Sequence, residues 1–374
     1  MTPDWSDRLR LARTDGVGPV LYRKLLARFG TPAAAIGALP GLGRGSRTWR
    51  IPSAADADRE RALAAKLGAT LLFLGAPGYP PLLALLDDPP IVLTVLGRTE
   101  LLAQPAVAIV GARNASANGR RHAEHLGAEL ARAGHAVVSG MARGIDAAAH
   151  AGALQEGATI AAVAGGVDVV YPPENAGLHQ RIAAEGAVVA EAPLGAAPQA
   201  RHFPRRNRVI AGLSLGVVVI EAALRSGSLI TARLALENNR ELYAAPGSPM
   251  DERCRGSNDL IRQGAHLVET VADVLAHLPD DPLREGLARL PQFSRPESPV
   301  PRPPVTPDDI ATAHDQLMEL LGPASTPVDD LARRCHLPLS AVLAALLELE
   351  LSGLVEVLPG QLVSKTSPHF VRSA

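Results

Sequence analysis

AVAIVGARNASANG, residues 106–119, is the stretch on which the fold turns. Ala106–Gly111 is apolar without alternation, which is how a strand buried on both faces reads. Gly111 turns the chain, and a helix starts near Ser116. A second stretch repeats the device. His135–Gly140 reads as a strand, a glycine turn and Arg143 follow, and a helix opens at Ile145 with Asp146 in its first turn. Further apolar runs lie at Thr159–Ala164, Ala187–Ala192, Leu215–Ile220 and Glu241–Ala245. Helical stretches at Ser116–Ala133, Ile145–Glu156 and Asn175–Glu185 separate them. This β-α-β-α order predicts an α/β domain with a doubly wound, mostly parallel sheet and helices on both faces. Right-handed crossovers then gather the loops that follow the strands along one edge.

Outward from this centre, the domains separate by composition. Residues 1–70 are helical in spacing, with Leu9, Leu11, Leu21, Leu25 and Leu26 on shared apolar faces. Gly16-Val17-Gly18-Pro19 and Gly41-Leu42-Gly43 interrupt them, as in a small helical domain of SAM or helix-hairpin-helix type. Residues 71–277 form the Rossmann-like domain. Residues 278–308 are a Pro-rich linker, extended and solvated, from Pro279 and Pro282 through Pro303, Pro304 and Pro307. Residues 309–366 read as three helices, Ile310–Leu321, Val328–Arg334 and Ser340–Ser352. Two strands follow, Leu354–Leu358 and Gln361–Ser364, turned by Pro359-Gly360, and 367–374 is a tail. That is the winged-helix order. Its third helix, Leu339–Leu351, carries Glu348 and Glu350 and no arginine or lysine. A helix that enters the major groove needs positive or amide side chains. This one is expected to pack on its own domain or on a protein.

The chain balances 37 lysines and arginines against 38 aspartates and glutamates. A nucleic-acid binder with no global positive excess needs a local one. The basic residues are nearly all arginine, since lysine stands only at Lys24, Lys66 and Lys365. Cys254 and Cys335, far apart, exclude a disulfide framework and a CxxC metal site, and read as reduced buried thiols. Met1-Thr2-Pro3-Asp4-Trp5 has no basic stretch followed by an apolar run, so no signal peptide is expected. The longest apolar run, Leu213–Leu224, is broken by Glu221 and falls short of the roughly 18 residues that a membrane span needs. A cytoplasmic protein without membrane contact is expected.

The chemistry concentrates in loops after strands. In GARNASANG, amides freed at a helix start suit phosphate oxygens, and Arg113 adds a planar fork beside them. Arg113 also stands where the dinucleotide fingerprint needs its second glycine, which disfavours a dinucleotide. The second loop brings Ser139, Gly140 and Arg143. Tyr171-Pro172-Pro173-Glu174-Asn175 reads as a helix start. The strongest signal is Arg201-His202-Phe203-Pro204-Arg205-Arg206-Asn207-Arg208, four arginines around one ring and no acid. Guanidinium groups take phosphates while a ring offers a base a stacking surface, the combination that suits a single strand. The alternative is a core Phe203 with arginines paired to nearby acids. Arg225-Ser226-Gly227-Ser228 makes a further possible anion nest. No GxSxG elbow, P-loop or HExxH motif is present, and His122 and His125 lack further ligands. Neither a catalytic set, a metal nor a cofactor is expected.

Together these motifs resemble the DprA/Smf family of DNA-processing proteins. The resemblance runs from about Gly75 to Val268. It rests on GARNASANG (111–119), SGMARGIDAAAH (139–150), AGGVDVVYPPEN (164–175), FPRRNRVIAGLS (203–214), VVVIEAALRSGSLITARLALE (217–237) and APGSPMDERCRGSNDLIRQGAHLV (245–268). It implies a recombination mediator of natural transformation or DNA repair that protects incoming single-stranded DNA and helps to load RecA. It also implies a homodimer through the Rossmann-like domain and no enzymatic role. Carried over by motif, the DNA pocket comprises Gly111, Arg113, Ser139, Arg143, Phe203, Arg205, Asn207 and Arg208, with Gly140, Arg201 and Arg206 beside them. Arg201 stands in for a lysine that relatives often carry near this motif. The dimer seam is expected around Leu260, Ile261 and Leu267. The alternative is a Rossmann-like hydrolase cleaving the N-glycosidic bond of a nucleoside monophosphate, with Glu221, Arg225 and Thr231 as its carboxylate and phosphate groups. The PGGxGTxxE pattern of that class is missing.

Overall fold

The structure is a computed structural model that describes residues 4–42, 49–157, 159–279, 307–322, 325–335, 337–358 and 362–366. Most of the expected Pro-rich linker, the Pro359-Gly360 turn and the tail lie outside the described residues. The chain divides into two compact units, one spanning Ala54–Gln292 and one combining Pro3–Ser53 with Phe293–Ala374.

The second unit opens with helices α1 (Trp5–Ala12), α2 (Pro19–Phe29) and α3 (Pro32–Leu42). Pro19 occupies the first turn of α2, where its missing N–H is no loss. Leu9, Leu11, Leu25 and Leu39 are fully buried among these helices.

The first unit is built on nine strands: β1 (Ala69–Phe73), β2 (Val92–Gly97), β3 (Ala106–Gly111), β4 (Ala136–Ser139), β5 (Thr159–Ala162), β6 (Ala187–Ala190), β7 (Gly216–Ile220), β8 (Glu241–Ala244) and β9 (His266–Leu267). They stand in the order β1-β2-β6-β5-β4-β3-β7-β8-β9. From β6 to β9 every pairing is parallel, while β1 and β2 extend one edge antiparallel. The doubly wound sheet expected from the strand pattern is present, and β1, β2 and β9 are additions to it. The helices of this unit are α4 (Ala54–Lys66), α5 (Pro81–Ala84), α6 (Ala117–Arg132), α7 (Ile145–Ala153), α8 (Ala176–Glu185), α9 (His202–Leu213), α10 (Gly227–Glu237), α11 (Arg255–Arg262) and α12 (Val271–Leu275).

Both faces of the sheet are covered, and β3 shows how. Ala106, Ala108 and Val110 join a core with Val209, Ile210 and Leu213 of α9 and Ala232 and Ala235 of α10. Val107 and Ile109 join another with Ala123, Leu126 and Leu130 of α6 and Ala149 and Ala153 of α7. Successive side chains alternate between two apolar layers, so no polar position survives along the strand.

The winged-helix segment contains α13 (Pro307–Leu320), α14 (Val328–Cys335) and α15 (Leu339–Leu351), with β10 (Thr326–Pro327), β11 (Val355–Leu358) and β12 (Leu362–Lys365) in the order β10-β12-β11. Its core gathers Leu317, Leu331, Leu346, Leu349 and Val363. Among the described residues no single helix is long and apolar enough to cross a membrane.

α6 and α7 approach each other through glycines. A Cβ on Gly127 would lie 2.5 Å from the carbonyl oxygen of Ala149, and one on Gly152 would press closer still on that of Glu124. Gly177, in α8, faces open space. The same substitution should therefore change sign with position. Gly152→Ala should cost about 1–3 kcal/mol through overpacking. Gly177→Ala should stabilise by roughly 0.5–1 kcal/mol through helix propensity. Urea unfolding of both variants checks this, and equal effects would refute the packing argument.

Candidate nucleic-acid interface

Strands β3 and β7 are neighbours, but the chain leaves them in opposite directions. After β3 it winds towards β4, β5 and β6, and after β7 towards β8 and β9. Loops diverging at such a switch point open a crevice beyond the strand ends. Here that crevice is a cleft of about 600 Å³. Gly111, Arg113 and Asn114 line it from the loop after β3, Ala142 and Asp146 from the loop after β4 and the start of α7, and Phe203, Arg206 and Asn207 from α9. Arg225, Ser226, Gly227, Ser228 and Thr231 close the β7 side, and Arg253 completes it.

Glu221 sits at the strand end in the left-handed region, at φ 53°. Its carboxylate accepts from the Ser116 N–H at 2.8 Å and from the Ser116 hydroxyl. Ser116 in turn accepts from the Gly119 N–H at 2.9 Å, capping α6. A Cβ on Gly119 would meet the Glu221 carboxyl carbon at 2.6 Å. The start of α6, read from the sequence as a phosphate nest, thus already faces the chain's own carboxylate.

The four arginines of the 201–208 segment have different fates. Arg206 is buried, and its Nη1 donates to the carbonyl oxygens of Gly140 at 2.5 Å and Ala162 at 2.6 Å. Burial pulls its pKa down to about 10, against the attraction of Asp146. Asp146 is buried too. Burial raises its pKa, and Arg206 and the Gly140 and Ala142 N–H groups that it accepts from act in the other direction. Arg208 is buried and donates to Glu191 at 2.5 Å and to the Asp88 carbonyl oxygen. Arg205 also reaches Glu191, at 2.7 Å, but its side chain is 58% exposed. Arg201 is exposed at the start of α9. The pairing of arginines with acids, weighed above as an alternative, holds for Arg208 and in part for Arg205.

Phe203 is half-buried. The guanidinium of Arg113 lies 5.6 Å from its ring centroid and that of Arg206 5.9 Å. Tyr171 meets the ring edge-on at 5.7 Å and is 48% exposed. Arg113 is exposed, and Arg143 reaches Glu174 at 3.5 Å, with both side chains more than half exposed. An ion pair that open to water is weak. An exposed cation, a partly open ring and a second ring thus stand together at the cleft. Asn207 is turned inward, its amide donating to the Gly227 carbonyl oxygen at 3.4 Å and accepting from Arg206. Ser139 is fully buried, its hydroxyl donating to Ile109 at 2.6 Å, and Gly140 is buried beneath Arg206. The structure therefore brings Gly111, Arg113, Phe203, Arg206 and Asn207 to one cleft and holds Ser139, Gly140 and Arg208 inside the fold. Tyr171, Arg225 and Arg253 are cleft or near-cleft groups outside the sequence-derived site. In the sequence Tyr171 reads as part of a helix start, and Arg253 carries no local signal.

Of the expected seam, Leu267 is 48% exposed on β9, the last strand of the sheet. Leu260 and Ile261 are half-buried on α11, with Leu260 packed against the core.

His150, fully buried near Arg206, fixes a tautomer. The Thr159 hydroxyl donates to Val137 at 3.0 Å, so at 2.7 Å it must accept from the His150 Nδ1–H. The bare Nε2 meets no partner among the described residues. Burial, with Arg206 nearby, drives the His150 pKa from 6.5 to about 3.

Three family models match the chain: DNA recombination-mediator protein A over residues 70–279, the DprA winged helix domain over 300–361, and a DprA-like N-terminal HHH domain over 3–63. Protein Smf of Escherichia coli is 42% identical over 296 residues, 79% of this chain and 77% of that protein. DNA processing protein DprA of Streptococcus pneumoniae is 45% identical over 199 residues, 53% of this chain and 70% of that protein. The X-ray structure of the Streptococcus pneumoniae protein superposes with a TM-score of 0.63 at 33% identity, covering 73% of this chain and 97% of that one. DNA processing protein A of Helicobacter pylori, described for its single-stranded DNA binding mode, superposes with a TM-score of 0.51 at 31% identity, covering 56% of this chain and 94% of that one.

Two stability tests follow from the buried groups. Arg206→Met should cost about 3–5 kcal/mol, because it strands a buried carboxylate, whereas Arg205→Ala should cost under about 1 kcal/mol. Equal losses in urea would contradict the burial assignment. His150 stays neutral in the folded chain down to about pH 3 but takes a proton below about 6.5 when unfolded. Stability is therefore lost as pH falls through 6.5 towards 3. Relative to His150→Gln, the native chain should lose up to ~1.4 kcal/mol per pH unit across that window. Parallel pH profiles would show that His150 is not the buried neutral base.

Proposed function

Because the chain belongs to the DprA/Smf family of recombination-mediator proteins, we propose that it binds single-stranded DNA at the switch-point cleft. In this reading it protects incoming strands and helps to load RecA in natural transformation or DNA repair, as a cytoplasmic homodimer. The observation that carries the reading is Phe203, half-open and flanked by Arg113 and Tyr171. A ring beside the exposed guanidinium of Arg113 suits an unstacked base and its phosphate, and a duplex cannot present such a base. The binding residues are Gly111, Arg113, Arg143, Arg201, Phe203 and Arg205, joined by Tyr171. Ser139, Gly140, Arg206, Asn207 and Arg208 shape the cleft from behind. The exposed Leu267 on the edge strand supports a dimer seam with Leu260 and Ile261.

We read the protein as a binder and not an enzyme. A hydrolase of nucleoside monophosphates would draw on Glu221, Arg225 and Thr231. Glu221 is bound to the start of α6, and Asp146 holds the loop after β4. Neither carboxylate is free to act on a sugar. Residues 1–70, 71–277 and 309–366 remain the proposed domains, with 278–308 as linker.

Titration into labelled oligo-dT at several salt concentrations tests this. Neutralisation of about four phosphates gives a log–log salt slope near −3, at roughly −0.7 each. Phe203→Ala should weaken binding by about 1–3 kcal/mol, and Arg113→Ala should flatten the slope by about one phosphate. Binding that is indifferent to both variants, or equal on duplex, would sink the proposal, as would release of free base from a nucleotide.

A further inference from the structure

The third helix of a winged-helix domain is the element that commonly enters a DNA groove. Here that helix is α15, and it is apolar on nearly every face. Val342, Ala345, Leu346 and Leu349 belong to the winged-helix core. Leu347 and Leu351 are buried as well, 6% and 4% exposed, but lie outside that core. A helix apolar all round needs cover on more than one side.

That cover includes α2. Lys24 Nζ donates to Glu350 Oε2 at 2.7 Å, and Arg28 Nη2 donates to Glu348 Oε1 at 2.7 Å. Arg28 Nη1 also donates to the Ala344 carbonyl oxygen at 3.3 Å. Ala344, Leu347, Glu348 and Leu351 fall at i, i+3, i+4 and i+7, which is one stripe of a helix. Lys24 and Arg28 are likewise neighbours, at i and i+4. The charges are complementary throughout: α2 carries Arg23, Lys24 and Arg28 with no acid, and α15 carries two glutamates with no base.

We infer that the winged helix of this chain is a protein-docking module whose partner is the chain's own N-terminal helical segment. The docking face of α15 is the stripe through Leu347 and Leu351, and the Lys24–Glu350 and Arg28–Glu348 pairs set its register. Buried leucines supply the hold, and charge pairs at an interface fix orientation more than strength. Duplex DNA is not the ligand of this helix, whose charged groups are carboxylates already held by cations.

Zero-length carbodiimide coupling of the full chain reads the contact directly. Lys24, Lys66 and Lys365 are its only lysines, so few side-chain amines compete. A Lys24–Glu350 amide is expected in the tryptic mass spectrum. In an equal mixture of light and 15N-labelled protein it should link peptides of one isotope only. Coupling at the other lysines without this product, or mixed-isotope linkage, overturns the inference. Hydrogen exchange supplies a second reading. Lys24→Glu with Arg28→Glu should speed exchange across 344–351 at least tenfold. Adding Glu348→Lys and Glu350→Lys should restore it. Unchanged exchange in the double variant, or no recovery in the fourfold swap, refutes the docking face.

Discussion

The buried guanidinium of Arg206 braces the edge of the sheet where the cleft opens. Arg206 ties α9 to the carbonyl ends of β4 and β5 through Gly140 and Ala162. A cation so far from water persists only where hydrogen bonds and a counter-charge replace hydration. Two carbonyl oxygens, the Asn207 amide and the nearby Asp146 carboxylate do so. The brace dictates its surroundings. A Cβ on Gly140 would lie 2.6 Å from Arg206 Nη1, so any side chain there would push the guanidinium off its carbonyl partners. The imidazole of His150 is kept neutral beside it. The ring of Phe203 is carried on the same helix and rests within reach of the same guanidinium. The open face of the cleft is therefore positioned by a charge almost wholly withdrawn from solvent.

Glu221 does the corresponding work on the other side of the switch point. Its left-handed backbone turns the carboxylate back onto the start of α6 and locks the loop after β3 to the end of β7. Such backbone conformations cost on the order of 1–3 kcal/mol and persist where surrounding contacts hold them. With the helix start occupied internally, the positive charge left facing the cleft is that of side chains, chiefly Arg113 and Arg225, while Arg253 is paired with Asp251.

Much of this was legible in the sequence. Several of the six inner strands of the sheet, β3, β6 and β7 among them, are continuous apolar runs, and burial on both faces leaves that signature. β9 has two residues and so has no period to detect, while β1 and β2 are an antiparallel extension outside the β-α-β rhythm. The site was legible as a set of loops, because a doubly wound topology sends every strand end to one edge. What sequence could not resolve was the direction of each arginine. Arg205 and Arg206 are adjacent and chemically identical. One is mostly exposed and the other buried, a difference set by Glu191, Gly140 and Ala162, which lie many residues away. Nor could local reading join Tyr171 to Phe203, or the glutamates of α15 to α2, since each pair meets only in the folded chain.

The docking of α2 on α15 also bears on how the chain is made. Lys24 and Glu350 are 326 residues apart. At a synthesis rate of roughly 5–20 residues per second, about 15–65 s separate their appearance from the ribosome. Helix α2 therefore waits with an uncovered face while the whole sheet unit is built. The unit that holds α2 and α15 is begun before the sheet unit and completed after it. Lys24 and Arg28 of α2 then have a role before docking as well as after. They keep that waiting surface hydrated and mutually repelling until the glutamates of α15 arrive.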